Sequence, residues 1–173
     1  GLGNSQHASG ILDARLGNSG KVIWKLQGIK GGEYPVDHAR GLYNNGGLYG
    51  ERAGWYLPGF NDSTWRPARN MHARRAGVTW YRSDFTLNFP AGQDVMLRLN
   101  VHSKRFNKGR QDDARTVMFI NGWNVGTWVG NVGPQKSFTI PAGFLNRNGK
   151  NEIAIAVTAE AAGYGPETIQ LAP

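Results

Sequence analysis

The chain has 173 residues, 39% hydrophobic and 11% aromatic, with 25 glycines, 8 prolines, no cysteine and a formal net charge of +8. That length suits one domain, 1–173, able to bury roughly 70% of its unfolded surface, and the lack of cysteine excludes a disulfide framework, a thiolate zinc site and a cysteine nucleophile. No apolar run approaches the ~18 residues that span a bilayer, and Gly1–Leu16 does not read as a signal peptide.

The positive charge invites a nucleic-acid reading, since Lys and Arg neutralise phosphates. The basic residues are scattered, however, with two denser patches: Arg66, Arg69, Arg74 and Arg75, then Lys104, Arg105, Lys108 and Arg110. Asp112 and Asp113 follow the second patch at once, and no nucleic-acid motif accompanies either. The expectation is a soluble basic loop, or one that docks to an acidic neighbour, with neither nucleic acid nor membrane as partner.

Residues 1–8 form an irregular lead-in, and Val22–Leu26 is the first strand-like run. Gly28–Asp62, rich in Gly, Tyr and Asn, resists a strand reading and predicts a long ordered loop; loops of that length are functional or pack against something. Val78–Leu87 alternates, with Tyr81, Ser83, Phe85 and Leu87 on one face and Trp80, Arg82, Asp84 and Thr86 on the other. Within Asp94–His102, the residues Val95, Leu97, Leu99 and Val101 face in while Met96, Arg98 and Asn100 face out. Ser103–Arg115 is a polar excursion. Thr116–Ile120 is apolar on both faces, as a central strand covered on both sides would be.

Asn121-Gly122 then separates Thr116–Ile120 from Trp123–Val129. Such a pair takes positive φ at low cost and closes a two-residue type I′ hairpin. Pro134 and Pro141 punctuate the chain around Ser137–Ile140. In Glu152–Thr158 the residues Ile153, Ile155 and Val157 occupy one face and Glu152, Ala154 and Ala156 the other; Thr168–Leu171 closes the series. Many short strands between Gly, Pro and Asn turns predict an all-β antiparallel sandwich of the jelly-roll kind, cored by these aliphatic faces with Phe85, Leu87, Phe119 and Phe138.

The segments GLYNNGGLYGERAGWYLPGFNDSTW, GVTWYRSDFTL and FINGWNVGTWVGNVGPQKSFTIPAGFLNRNGKNEIAIAV resemble the C-terminal jelly-roll domain of glycoside hydrolase family thirty-five β-galactosidases. The resemblance runs from about Ser9 to the end of the chain and includes the upstream ASGILDARL and VIWKLQG. It implies a galactose-binding-like β-sandwich that is not the catalytic unit, because the family's two catalytic glutamates sit on a TIM barrel, for which this chain has no βα alternation. It further implies, as partners, that barrel, sister domains and a galactoside, in an extracellular setting.

Glycoside hydrolysis by the chain alone would need two carboxylates about 5–9.5 Å apart. The closest cluster, Glu33, Asp37 and Glu51, reads as pairing with Arg40 and Arg52 to hold the loop. His7, His38, His72 and His102 come without a nucleophile elbow, so no catalytic residue is assigned. No spacing reads as a transition-metal site, and Asp112-Asp113 is a weak signal for structural calcium, so no cofactor is expected. For sugar binding, an aromatic platform flanked by polar side chains is the pattern of interest. Trp80 beside Arg82 satisfies it as an exposed pair, and Trp55-Tyr56, Trp65-Arg66, Trp123-Asn124 and Trp128 are the other candidates. Packing is the competing use of each ring. Ala154 and Ala156, small and outward, would let another surface approach closely.

Overall fold

The structure is a computed structural model that describes residues 48–94, 96–103, 113–132 and 134–173. The expected strand Val22–Leu26, the loop residues Glu33, Asp37 and Arg40, His7 and His38, Val95, the basic patch 104–110 and Asp112 lie outside the described residues.

Among the described residues a short helix, α1 (Tyr49–Arg52), precedes seven strands: β1 (Gly77–Asn88), β2 (Leu97–His102), β3 (Ala114–Ile120), β4 (Trp123–Val129), β5 (Ser137–Ile140), β6 (Asn148–Ala159) and β7 (Thr168–Ala172). They form a four-stranded sheet in the order β1-β6-β3-β4 and a three-stranded sheet in the order β5-β2-β7, every described pairing being antiparallel. The all-β sandwich read from the sequence is the observed fold class.

Between the sheets lies the larger core. Leu97, Leu99 and Val101 of β2 meet Met118 and Ile120 of β3, Ile155 and Val157 of β6, and Phe138 and Ile140 of β5. Met96, which alternation turns outward, is 71% exposed. The β3–β4 hairpin turns at Asn121 (φ 48°) and Gly122 (φ 82°), the two positive values that a type I′ turn requires. Asn121 is more than a turn residue. Its Nδ2 donates to Phe144 O at 2.7 Å and to Asn151 Oδ1 at 2.8 Å, while its Oδ1 accepts from the Glu152 amide at 2.8 Å. Asn151 is fully buried and also accepts from the Asn146 amide at 2.7 Å, so the hairpin end is tied to the start of β6 by a satisfied polar network.

The four-stranded sheet is covered on its other face too. A second cluster of Tyr56, Trp80, Phe119, Ala154 and Ala156, flanked by Leu48, Trp55, Leu57, Trp65 and Val117, packs there. The cover is the chain itself, the stretch from Leu48 to Trp65, which is part of the expected loop and contains α1. This explains why Thr116–Ile120 is apolar on both faces. It also places Phe119 in this second cluster rather than between the sheets. It corrects the reading of Ala154 and Ala156, which are 1% and 0% exposed: their small side chains admit this internal cover, not a foreign surface. Gly50 belongs to the same fit, because a Cβ there would lie 2.5 Å from Trp80 Nε1 and 2.7 Å from Trp55 Cε3.

Candidate functional site

Strand alternation sets Trp80 and Arg82 on the covered face of β1, and the cover decides what they do. Trp80 is 9% exposed, not the surface platform expected of it. Its indole stacks on Phe119 with ring centroids 5.8 Å apart and planes 17° from parallel. Trp55 meets it edge-on at 6.0 Å, and Trp65 and Tyr49 each meet Trp55 edge-on at 5.5 Å. Tyr56 is buried and lies 5.0 Å from the Phe119 ring. Four of the candidate aromatics therefore form one body, each ring taking the edge-to-face or offset contacts that its quadrupole favours.

Arg82 anchors that body. Its side chain is 5% exposed. Nε donates to Asp62 Oδ2 at 3.0 Å, Nη1 to the carbonyls of Trp55 at 2.6 Å and Leu57 at 3.2 Å, and Nη2 to Glu152 Oε2 at 2.6 Å. Phe60 lies beneath the guanidinium, 5.5 Å from ring centroid to Cζ. Glu152 Oε2 accepts a further bond from the Gly59 amide at 3.1 Å. A planar guanidinium that reaches two carboxylates and two carbonyls serves as a clamp, holding the 55–62 stretch on the sheet.

The other candidates are placed elsewhere. Trp128 is 2% exposed in the core between the sheets and presents no face to a sugar. Trp123 stacks on Phe144 at 5.1 Å and 10° beside the hairpin turn, with Asn124 next to it in β4. Arg66 is exposed on the rim of a cleft between the 66–75 stretch and β1.

Register also produces a carboxylate pair that the sequence did not announce. Asp84 of β1 lies opposite Glu152 of β6. Lys150 Nζ sits between them, 3.2 Å from Asp84 Oδ2 and 3.5 Å from Glu152 Oε1, while Arg82 holds the other Glu152 oxygen. Both acids are thus committed to cations inside the chain. Glu51 is buried at 7% exposure within the cover. Among the described residues no group of three or more His, Asp or Glu is placed to hold a metal ion, and Asp113 accepts a hydrogen bond from Asn131 Nδ2 at 3.2 Å. No helix among them is long and apolar enough to cross a membrane.

Residues 49–162 match the family model described as "Beta-galactosidase second all-beta domain". Similar curated proteins include a probable beta-galactosidase B of Talaromyces marneffei, 38% identical over 156 residues, which cover 87% of this chain and 15% of that protein. Another is beta-galactosidase A of Aspergillus niger, 36% identical over 166 residues, covering 94% of this chain and 16% of the relative. The chain thus spans about one sixth of the length of these relatives. Among solved structures, the beta-glucuronidase of Bacteroides uniformis aligns over 72% of this chain and 16% of its own, at 22% identity and a TM-score of 0.47.

Proposed function

This chain belongs to the family of the beta-galactosidase second all-beta domain, and from that premise we propose that it is a non-catalytic brace, supporting the catalytic barrel and sister domains of a β-galactosidase. The observation that carries this reading is the commitment of Arg82. The residues that most resembled a sugar platform spend their hydrogen bonds and ring faces on holding the 48–65 cover to the sandwich. A guanidinium with four bonds inside its own chain has little left to offer a sugar hydroxyl. The carboxylate pair of Asp84 and Glu152 is bridged by Lys150 rather than open to a glycosidic oxygen, whereas glycosidase chemistry needs one carboxyl held protonated opposite an ionised partner.

The test is a titration of the 173-residue chain with galactose and lactose, followed by tryptophan fluorescence and calorimetry, beside an assay of turnover on a chromogenic galactoside. A brace gives a flat response up to tens of millimolar sugar and no turnover. Saturable binding with a dissociation constant near ~1 mM, worth about −4 kcal/mol, would make the chain a galactoside-binding module instead. Turnover abolished by Glu152→Gln would make it an enzyme.

A further inference from the structure

The cleft beside β1 has chemistry that the bracing role does not use. It runs between the 66–75 stretch and the β1 edge in two lobes of about 470 and 860 Å³, which share Arg66, Arg69, Asn70, Trp80 and Tyr81 in their walls. Both volumes fall in the range of small-ligand sites. The smaller lobe has Asp62 and Glu167 among its lining residues; among the described residues the wall of the larger has no carboxylate, but Arg66, Arg69, Arg74, Arg75 and His72. All four arginines are exposed, and none makes an ion pair among the described residues.

Four like charges within ten residues repel one another, and an anion between them relieves that repulsion. The backbone from Met71 to Ala73, between Arg69 and Arg74, is fixed in place. The Ala73 amide donates to Tyr164 O and the Gly163 amide to Ala73 O, both at 2.8 Å. Ala73 is buried, and Gly165 packs so closely that a Cβ would lie 2.6 Å from Met71 O. The His72 amide donates to Asn70 Oδ1 at 3.2 Å. Guanidinium groups on a pinned backbone bind carboxylate or sulfate oxygens in bidentate fashion at reduced entropic cost.

We propose that the larger lobe is a binding site for the anionic group of an acidic saccharide, a uronate carboxylate or a sugar sulfate, read by Arg66, Arg69, Arg74 and Arg75. The walls favour a sugar over an acidic polypeptide. The lobe is concave rather than flat, Tyr81 contributes aromatic lining, and Asn70 contributes an amide, the combination that suits a pyranose ring with one charged substituent. The site lies apart from the Arg82 clamp's hydrogen bonds, and the inference stands whether or not the chain braces a barrel.

The test is calorimetry of the 173-residue chain with a galacturonate trimer, a sulfated galactose, lactose and a hexaglutamate peptide, in low and high salt. Saturable binding of one or both charged sugars is expected, weaker in high salt and absent with lactose; which of the two binds separates carboxylate from sulfate. The double variant Arg74→Ala, Arg75→Ala weakens it at least about tenfold, the loss expected for charge-assisted hydrogen bonds. Arg98→Ala, on the outer face of the other sheet and in the lining of neither lobe, leaves it within about twofold. Should the double variant fold poorly, Arg66→Gln alone provides the same comparison with one charge removed. No saturable binding, equal binding of lactose, tighter binding of hexaglutamate, or an equal loss in Arg98→Ala would each overturn the proposal.

Discussion

Replacing Arg82 with leucine removes the group that holds the 55–62 stretch to the sheet. The change deletes four hydrogen bonds of 2.6 to 3.2 Å from a side chain that is 5% exposed. Removing one member of a buried ion pair costs about 3–5 kcal/mol, since the partner charge is left without compensation. Two features place this case near the low end. Asp62 is 44% exposed and water replaces its lost partner, while Glu152 keeps the Gly59 amide at 3.1 Å and Lys150 at 3.5 Å. The Leu57 carbonyl keeps the Phe60 amide at 3.3 Å, but the Trp55 carbonyl gains no such replacement where it stays covered. The expected loss is about 3 kcal/mol, which for a domain of this size lowers Tm by roughly 6–12 °C. Urea unfolding followed by tryptophan fluorescence measures it, because Trp55, Trp65 and Trp80 all report on the cover. Arg82→Lys keeps the charge but not the fork, and recovers less than half of the loss. A leucine variant within about 1 kcal/mol of the parent, or a lysine variant equal to it, would refute the clamp.

Gly50→Ala drives a methyl group into the Trp80 and Trp55 rings at 2.5 and 2.7 Å; the overpacking outweighs alanine's better helix propensity, for a net loss of about 1–3 kcal/mol in urea melts. Asn121→Gly keeps the positive φ but abolishes the bonds to Phe144, Asn151 and Glu152, so a loss of about 2 kcal/mol measures the network without the turn, and a neutral result would show that only the φ matters. Burial raises the Tyr81 phenol above its ordinary 10.0, while the Arg74 guanidinium pulls the other way. A raised value in the folded state means that its contribution is full below pH 10.0 and is lost as pH rises through the folded value; Tyr81→Phe flattens this alkaline decline, and Arg74→Ala moves the phenol absorbance titration further up.

Signals confined to a few consecutive residues were the ones that could be read directly. Asn121-Gly122 closes its hairpin because only those two residues decide the turn, and Leu97, Leu99 and Val101 face the core because alternation is built into a strand. The same alternation put Trp80 with Arg82 and Ala154 with Ala156 on their correct faces. It could not say what covered those faces. Burial of Trp80 depends on the upstream segment from Leu48 to Trp65 folding back over the sheet, and its irregular, glycine-rich pattern gives no period from which to place it. The Arg82–Glu152 bond depends on register between β1 and β6, which are 70 positions apart at this point. A Trp beside an Arg looks alike in sequence whether it awaits a sugar or a loop.

The proposed brace gives the Arg82 clamp a role in architecture rather than turnover. It is tested in the proposed parent, a multidomain β-galactosidase carrying this domain, with Arg82→Leu, assayed for kcat and KM before heating and for the half-life of activity at a temperature near inactivation. A brace leaves kcat and KM unchanged and shortens the half-life. An unchanged half-life with a raised KM would contradict the account and return Arg82 to the substrate.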